Sequence, residues 1–289
     1  MIGWGFFTSS RSVARLRSSH TAYRLPHRVA SGSRNMDVDR ALLEWVSRGS
    51  ARLVFRTYGW DRPTLSLGRS EPFPDGWDER ALARDGIAAV RRPTGGSAVL
   101  HAEEVTFALA ASVPGPWVLS PRDFANAAAQ ALSGALRACG ISGSRVHGGA
   151  GRAQARAAGA VCFARSDPGE VEAAGYKVAG LASRFGRAGA LCHASVPLTA
   201  RSRTITAYRS GGTGEALELE LNARSLGELL GFDSDAGGSA ETGRLAVAVA
   251  DRLAGEIAAR FGAPLLDAPF AALGILEEEA DAVASAGIP

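Results

Sequence analysis

Cys162 is the residue whose type and setting point most clearly to covalent chemistry. It follows a stretch rich in Gly, Ala and Arg, residues 148–159, whose composition is typical of a loop. The interval between Asp123 and Asp167 contains no acidic residue. Its basic residues are Arg137, Arg145, Arg152, Arg156 and Arg165. A lone cysteine beside apolar residues is more often a small core residue. Positive surroundings, however, stabilise a thiolate, the nucleophilic form of cysteine, so Cys162 is a candidate nucleophile.

The two other cysteines lack this setting. Cys139 ends a predicted helix and Cys192 lies within a predicted strand, where a cysteine usually acts as a small apolar core residue. Three cysteines are too few for a disulfide framework, and no C-x-x-C pair is present to bind zinc. We therefore expect both residues to pack in the core, and we expect no metal.

Lys177 is the only lysine of the chain, in which Lys and Arg together number 32. An ammonium is a compact point charge with an exchangeable proton, whereas a guanidinium is a planar, permanently charged fork. A lysine kept where arginine otherwise serves is thus a candidate for chemistry that arginine cannot perform. The alternative is that Lys177 is retained by chance.

A glycine pair and two histidines are weaker candidates. Gly95 and Gly96 follow a predicted strand and Pro93, which favours a tight turn; the alternative is a backbone that lies directly against a ligand. The pair belongs to neither a GK[ST] phosphate loop nor a GxGxxG motif. His101 and His193 lie at or within predicted strands, where a histidine is more often structural than catalytic.

The hydrophobic pattern predicts the elements that must position these residues. Helices are predicted at residues 34–47, 77–84, 121–139, 225–230, 242–261 and 277–284, the first with Asn35 as its N-cap. Strands are predicted at residues 53–58, 64–67, 87–91, 105–112, 171–173, 176–182 and 190–197. Strands that come mostly as neighbours, flanked by helices, favour an α+β fold over a regular βαβ alternation.

Charge and composition narrow the function classes. Residues 1–34 contain six arginines and no acidic residue, so the net charge of +3 becomes −3 when these six are left out. A basic tail is weak support for nucleic-acid binding, which needs a basic face on the folded body. No apolar run approaches the length of a membrane span. We therefore expect no nucleic-acid partner, no membrane partner and a cytoplasmic location.

Two regions are expected from the same patterns. Residues 1–22 form a basic, unpacked N-terminal segment, either a transit-like segment or, as we favour, a loose tail or misassigned start. Residues 23–289 form one domain with a helical C-terminal part.

Several motifs together resemble the catalytic domain of the biotin/lipoate protein ligase superfamily, and most closely its cysteine-dependent octanoyltransferases. They are NMDVDRALL at residues 35–43, RTYGW at 56–60, TLSLG at 64–68, RRPTGG at 91–96 with His101, Cys162-Phe163, Glu170, Gly175, KVAG at 177–180, and His193 with Ser195. The resemblance covers about residues 24–200. RRPTGG followed by KVAG is specific, because two independent motifs occur in the expected order.

The resemblance implies a fold, a reaction and a set of site residues. The fold is a mixed β-sheet around a ligand tunnel, with flanking helices. An octanoyl (or lipoyl) group passes from a thioester or lipoyl-carrier donor to a lysine of a lipoyl carrier domain, through an acyl-Cys162 intermediate with Lys177 as the second catalytic residue. The residues implied in substrate binding are Arg92, Gly95, Gly96, His101, Gly180, His193 and Ser195.

The resemblance also implies the partners of the reaction. The donor is an acyl carrier protein or the glycine-cleavage H protein, and the acceptors are lipoyl domains of 2-oxoacid dehydrogenases.

The sequence departs from the family pattern at a few positions. Ala102 stands where the family usually has Asp, Leu181-Ala182-Ser183 replaces S-A-Q, and Ala194 replaces Gly in H-G-S. These changes would alter the acyl pocket.

In this interpretation Lys177 is a cation beside the Cys162 thiolate and a donor to the reacting carbonyl. We expect Cys162, Lys177 and the Gly95-Gly96 turn to face one pocket. The carrier amine could be activated by desolvation beside Lys177 or by a base such as His101 or His193, and the sequence does not choose between them. The five arginines near Cys162 could dock acidic carriers, or they could simply be solvated.

Two alternatives remain. An ATP-dependent lipoate ligase would need ATP and Mg²⁺ and would not use Cys162, whereas the thioester route needs no cofactor. A non-catalytic relative would only bind an acylated carrier, and the retention of both Cys162 and Lys177 argues against it.

Overall fold

A large mixed sheet carries most of the long strands. The computed structural model describes residues 21–115, 120–148, 162–164, 169–210, 219, 222–232 and 240–273. The strands in this part of the chain are β1 (Ala22–Arg24), β2 (Arg28–Ala30), β3 (Leu53–Trp60), β4 (Thr64–Leu67), β5 (Ala88–Arg91), β6 (Val99–His101), β7 (Glu104–Ser112), β8 (Arg145–Val146), β9 (Val171–Ala173), β10 (Tyr176–Phe185), β11 (Gly189–Pro197) and β12 (Leu265–Asp267). The large sheet has the order β12-β1-β3-β7-β11-β10-β9-β8, with β2 paired to β3.

The helices cover both faces of this sheet. They are α1 (Gly32–Ser47), α2 (Glu79–Arg84), α3 (Pro121–Ala138), α4 (Leu226–Leu230) and α5 (Ala240–Phe261), with 3₁₀ segments at Cys162–Ala164, Ala200–Tyr208 and Phe270–Leu273. The central strands β7 and β11 are buried along their whole length. Their near-continuous runs of small and apolar residues suit a position between two helical layers.

Each helical layer buries an apolar stripe against the sheet. On one face α3 packs against α5, where Phe124 and Phe261 meet edge to face with ring centroids 6.4 Å apart. On the other face α1 presents Leu42 and Val46 to the sheet. These layers fix the sheet, and the sheet in turn fixes the side chains of β10 and β11.

A second, three-stranded sheet stands beside the first, in the order β5-β4-β6. Strand β4 runs parallel to β5 and antiparallel to β6. Leu65, Leu67 and Leu100 form its apolar core, together with Cys162 and Phe163. This sheet therefore carries His101 and the RRPTGG loop, and it provides the surface on which the cysteine segment rests.

The predicted α+β fold is confirmed, and its main errors concern short elements and one helix cap. Helix α1 begins after Ser31, whose hydroxyl accepts from the backbone N–H of Arg34. Asn35, predicted as the cap, lies inside the helix, where its amide donates to the carbonyls of Ala30 and Gly59. Its hydrogen-bonding capacity ties α1 to β3 instead of starting the helix.

The ends of the chain were predicted as a loose basic segment and a helix at residues 277–284. Residues 1–20 and 274–289 lie outside the described residues. Thr21 and Ala22, which were placed in the basic segment, are buried, and Ala22 begins β1. The folded part thus includes these two residues.

None of the helices in the described ranges combines the length and the apolar character needed to cross a membrane.

Candidate active site

A cavity opens where α1, the large sheet and the three-stranded sheet meet. It holds about 370 Å³ of space, part of it open to solvent. The residues that line it are Met36, Tyr58, Trp60, Ser66, Arg92, Val99, His101, Thr106, Cys162, Gly180, Leu181, Ala182, His193, Ala194 and Ser195. Cys162 and most of the residues predicted for substrate binding are therefore brought to one place from distant parts of the chain.

The cysteine is held at the cavity wall by the three-stranded sheet. The backbone N–H of Cys162 donates to the carbonyl of Ala98 at 3.1 Å, and a short 3₁₀ turn begins at Cys162. The thiol faces Gly180 of β10, where an added Cβ would lie 3.2 Å from Sγ. Cys162 is only 8% exposed, so its sulfur can meet a substrate only through the cavity.

Lys177 lies behind the cysteine and is completely buried. Its Nζ donates to the backbone carbonyl oxygen of Cys162 at 2.6 Å and lies 3.8 Å from Cys162 Sγ. It also pairs with Oε2 of Glu170 at 2.6 Å. The predicted proximity of the cation to the sulfur is present, but Lys177 is not among the residues that line the cavity.

This arrangement can stabilise negative charge on the sulfur. A cation at this distance, shielded from water, interacts with a thiolate far more strongly than it would in solvent. Burial raises the pKa of Cys192 to about 11 and also raises the pKa of Cys139. A raised pKa makes both thiols poor nucleophiles at pH 7. Cys192 is buried in the core as predicted, whereas Cys139 is only partly buried and packs against the edge of the core rather than within it.

Gly180 gives a direct test of how closely the thiol must fit. Its backbone has no unusual φ, so alanine is sterically allowed in the chain, but the new Cβ would crowd Sγ of Cys162 and the ring of Phe163. We expect Gly180→Ala to slow acylation of Cys162 on the order of tenfold, because small displacements of a reacting atom are costly. Gly255→Ala, in helix α5 with open space around it, is the control and should leave the rate unchanged. Equal rates in the two variants would show that the close approach does not matter.

One buried hydrogen-bond network is centred on Glu104. Its Oε1 faces Nδ1 of His101 at 2.9 Å, and its Oε2 accepts from the Ser195 hydroxyl at 2.7 Å. Thr106 also donates to Oε1. Burial by itself would raise the pKa of Glu104, but His101 and the hydroxyl donors outweigh it and hold that pKa below its usual value. Glu104 therefore stays ionised and orients the imidazole.

The other nitrogen of His101 also has a partner. Nε2 lies 2.7 Å from the Ser66 hydroxyl, and the ring stacks on Trp60 with centroids 4.0 Å apart. Contacts at both nitrogens thus fix the imidazole at the wall of the cavity.

A second network holds His193 against Asp39. Nδ1 of His193 lies 3.3 Å from Oδ2 of Asp39, and Nε2 meets the Thr94 hydroxyl. Asp39 also accepts from Nε and NH2 of Arg56 at 3.0 and 2.7 Å. Burial lowers the pKa of His193, and Asp39 opposes this only in part. The ring is therefore neutral at pH 7.

Asp39 is expected to stabilise the whole domain. Burial alone would raise its pKa, but Arg56 and His193 outweigh burial and lower it. Asp39→Asn leaves the buried Arg56 charge without an anionic partner, so we expect a loss of about 3–5 kcal/mol in the free energy of unfolding. Urea unfolding followed by circular dichroism measures it. Asp37→Asn, which breaks an exposed pair with Arg40, is the matched control and should cost under about 1 kcal/mol.

The same pair sets a direction for the pH dependence. Because the folded pKa of Asp39 is lowered, its contribution is present above the unfolded pKa and is lost as the pH falls through the folded pKa. The wild-type protein should therefore lose stability below about pH 5, and Asp39→Asn should lose less. Parallel losses in both proteins would contradict this role for Asp39.

The Gly95-Gly96 turn does not line the cavity. Gly95 and Gly96 are exposed and are not among the residues that line the cavity, so the expectation that they face it is wrong. Gly96 has φ +96°, and its carbonyl would collide with any Cβ at Gly68. The pair thus forms a tight turn against the Gly68 backbone, and a direct role in substrate binding remains a prediction.

Arg92 links this turn to the cavity. Its guanidinium donates to the carbonyls of Ser66, Gly95 and Ser97 at 2.9, 3.0 and 2.7 Å. It is 5% exposed and lines the cavity. Arg92 therefore holds the loop in shape, and its role in substrate binding stays a prediction.

The basic surface predicted near Cys162 is described only in part. Arg137 donates to the Ser133 hydroxyl and to the Ser144 carbonyl, and Arg145 lies 3.7 Å from Glu172. The remaining three arginines, Arg152, Arg156 and Arg165, lie outside the described residues. The two described arginines are thus engaged within the protein, and carrier docking by this stretch stays a prediction.

Sequence reasoning did not assign roles to three buried carboxylates, Asp39, Glu104 and Glu170. Glu170 and Asp39 were noted only as matches to family motifs. An acid seven residues before the single lysine, in a strand-rich segment, is the one signal that could have pointed to Glu170. Among the described residues, no group of three or more His, Cys, Asp or Glu side chains is arranged to hold a metal ion, and the predicted absence of a metal stays a prediction.

Comparison with known families gives a consistent picture. Residues 31–216 match the family described as the lipoyl protein ligase A/B catalytic domain. The octanoyltransferase LipM of Moorella thermoacetica is 30% identical over 210 residues, which is 72% of this chain and 76% of that protein. LipM of Anoxybacillus flavithermus is 45% identical over 78 residues, only 27% of this chain and 28% of that relative's length.

A solved structure supports the fold. The bi-partite lipoate protein ligase of Thermoplasma acidophilum, studied with its E2 lipoyl domain, superposes with a TM-score of 0.63 at 16% identity, covering 90% of this chain and 89% of that one. The resemblance inferred from the motifs and the mixed-sheet architecture with flanking helices are therefore confirmed.

Proposed function

Because the chain belongs to the lipoyl protein ligase A/B catalytic-domain family, we propose that it transfers an octanoyl (or lipoyl) group from a carrier thioester or lipoyl-carrier donor to a lysine of a lipoyl carrier domain, through an acyl-Cys162 intermediate. The observation that carries this proposal is the 3.8 Å approach of the buried Lys177 ammonium to the Cys162 sulfur at the wall of a cavity. Relatives of similar sequence are octanoyltransferases.

The first step exchanges one thioester for another. The Cys162 thiolate attacks the donor carbonyl, the tetrahedral intermediate collapses, and the carrier thiolate leaves and takes up a proton. Since the bond formed and the bond broken are of the same kind, the step is close to thermoneutral and needs no ATP. Lys177 supports it by stabilising negative charge at the sulfur, and its donation to the reacting carbonyl remains a prediction.

The second step forms an amide. A carrier lysine attacks the acyl-Cys162 carbonyl, loses a proton, and expels the Cys162 thiolate. At a reference pKa near 10.4 only about 0.04% of that amine is neutral at pH 7, a deficit of about 4.6 kcal/mol. His101 and His193 each line the cavity with Nδ1 held by a carboxylate and Nε2 facing a hydroxyl. Either imidazole could therefore accept the proton.

The lining of the cavity supports an acyl ligand. Leu181 and Ala194, at two positions where the sequence departs from the family pattern, both line it. They replace polar or smaller groups with methyl and isobutyl side chains. The wall next to Cys162 is thus apolar, as an acyl chain requires.

The partners follow from the chemistry. The acceptor is a lipoyl domain of a 2-oxoacid dehydrogenase, in keeping with the structural neighbour that was studied with its E2 lipoyl domain. The donor is an acyl carrier protein or the glycine-cleavage H protein. All three cysteines are free thiols, which suits a reducing compartment and supports action in the cytoplasm.

A transfer assay separates this proposal from the ATP-dependent ligase, the second candidate. The enzyme is mixed with octanoyl-acyl carrier protein and an apo lipoyl domain, and the domain is weighed by mass spectrometry. A parallel reaction contains free octanoate, ATP and Mg²⁺ in place of the acyl carrier. The proposal predicts octanoylation in the first mixture alone; octanoylation in the second mixture alone would assign the chain to the ligases.

A further inference from the structure

A buried carboxylate, Glu170, contacts the ammonium of Lys177 next to Cys162. Its side chain is 7% exposed, and its Oε2 lies 2.6 Å from Nζ of Lys177. The same nitrogen donates to the Cys162 carbonyl oxygen at 2.6 Å and approaches Cys162 Sγ at 3.8 Å. These contacts direct the ammonium toward both the Glu170 carboxylate and the cysteine.

The local backbone fixes the position of Glu170 without any contribution from a substrate. Its carbonyl accepts from the N–H of His147 at 2.7 Å, immediately before strand β9. Strand β9 then turns into β10 through Ala174 and Gly175, which have φ +51° and +86°. This tight turn returns the chain so that Lys177 lies beside Glu170. The register shift between Lys177 and Ala179 further sets the direction of the lysine side chain.

The negative charge of Glu170 offsets the cost of burying the Lys177 ammonium. A cation removed from water is costly unless an opposite charge and hydrogen bonds replace its hydration. Without the carboxylate, the buried ammonium would lack an opposite charge and would no longer be held beside the sulfur.

We propose that Glu170 is a positioning residue that pairs with the Lys177 ammonium and holds it within reach of the Cys162 sulfur, an inference that deepens and rests on the proposed function. One consequence is that Lys177 acts as a cation and hydrogen-bond donor, not as a base. The proton of the carrier amine must then be accepted elsewhere in the cavity, where His101 and His193 lie.

The test measures the reactivity of Cys162 without any acyl donor. Iodoacetamide alkylation is followed at pH 7 by peptide mass spectrometry, which separates Cys162 from the other two cysteines, and thiolate is monitored by its ultraviolet absorbance. Glu170→Gln should slow alkylation roughly 30-fold or more, as removal of one partner from a buried charged pair would. Glu172→Gln is the matched control, because Glu172 lies on the adjoining strand but contacts His147 and Arg145. It should alkylate at the wild-type rate.

A double variant tests whether Glu170 acts through the lysine. Glu170→Gln combined with Lys177→Met removes both buried charges, so it leaves no unpaired ion to prevent folding. It should alkylate at the same rate as Lys177→Met alone. Glu170→Asp, which retains the charge, should recover part of the loss seen in Glu170→Gln.

The proposal is overturned if Glu170→Gln alkylates at the wild-type rate, or if it lowers the rate further in the Lys177→Met background. A different result would contradict the proposed function. A wild-type enzyme whose Cys162 alkylates rapidly but never accepts an octanoyl group would contradict the transferase, while the alkylation rates would still decide the role of Glu170.

Discussion

Cys162→Ser should abolish octanoyl transfer to the lipoyl domain, with a rate reduced on the order of 1,000-fold or more, as is typical when a covalent nucleophile is removed. The serine hydroxyl is far harder to ionise than a thiol and needs a dedicated base. The hydrogen-bonded group next to the sulfur is an ammonium that is already paired with Glu170, and an ammonium cannot accept a proton. The measurement is the initial rate of octanoyl-domain formation by mass spectrometry.

The control for this experiment is a cysteine outside the cavity. Cys139→Ser changes a partly exposed thiol at the end of helix α3 and should retain most of the activity. Circular dichroism should show the same fold in both variants, because serine is nearly the size of cysteine. Normal transfer by Cys162→Ser would remove the acyl-enzyme from the mechanism.

Lys177→Arg should also lose at least about 100-fold in the rate of transfer, although it retains a positive charge. The Lys177 side chain is completely buried, and its nitrogen is held by the Glu170 carboxylate and the Cys162 carbonyl. A guanidinium is larger and planar, so it cannot occupy this point-charge position without displacing the cysteine segment. Rates of Cys162 acylation and of unfolding in urea, measured on the same preparation, separate a catalytic defect from an unfolded protein.

Arg184→Lys provides the reciprocal control, because Arg184 lies exposed on the same strand, β10. It should leave the transfer rate and the stability unchanged. If Lys177→Arg instead transfers at a rate close to that of the wild type, any cation suffices and the single lysine is an accident of composition.

Local signals singled out two residues that the structure brings together. Cys162 stood out by its loop setting, and Lys177 by its uniqueness among 32 basic residues. That the two residues would lie close together was expected only from the family resemblance, since no periodicity relates a loop cysteine to a strand lysine. In the structure Lys177 Nζ lies 3.8 Å from Cys162 Sγ. Long strands such as β7 and β11 were predicted within one residue at each end because their apolar runs are long.

The carboxylates that orient the site could not be predicted from local pattern. His193 and Asp39 are 154 residues apart, and Glu104 gathers donors from β7, β11 and the end of β6. Such contacts depend on strand order, which the sequence did not specify. The three-residue strands β1, β2 and β12 were missed for a related reason: they are too short for any alternation to be visible, and pairing alone defines them.

The central claim is the acyl-Cys162 intermediate, and intact-mass spectrometry of the enzyme tests it most directly. The enzyme is mixed with octanoyl-acyl carrier protein, without ATP and without an acceptor domain, and is then treated with hydroxylamine. We expect a gain of one octanoyl group that maps to Cys162, is removed by hydroxylamine, and moves to a lipoyl domain when one is added. An enzyme that transfers octanoate to the lipoyl domain while its own mass never changes, or whose adduct maps to Cys139 or Cys192, would contradict the account.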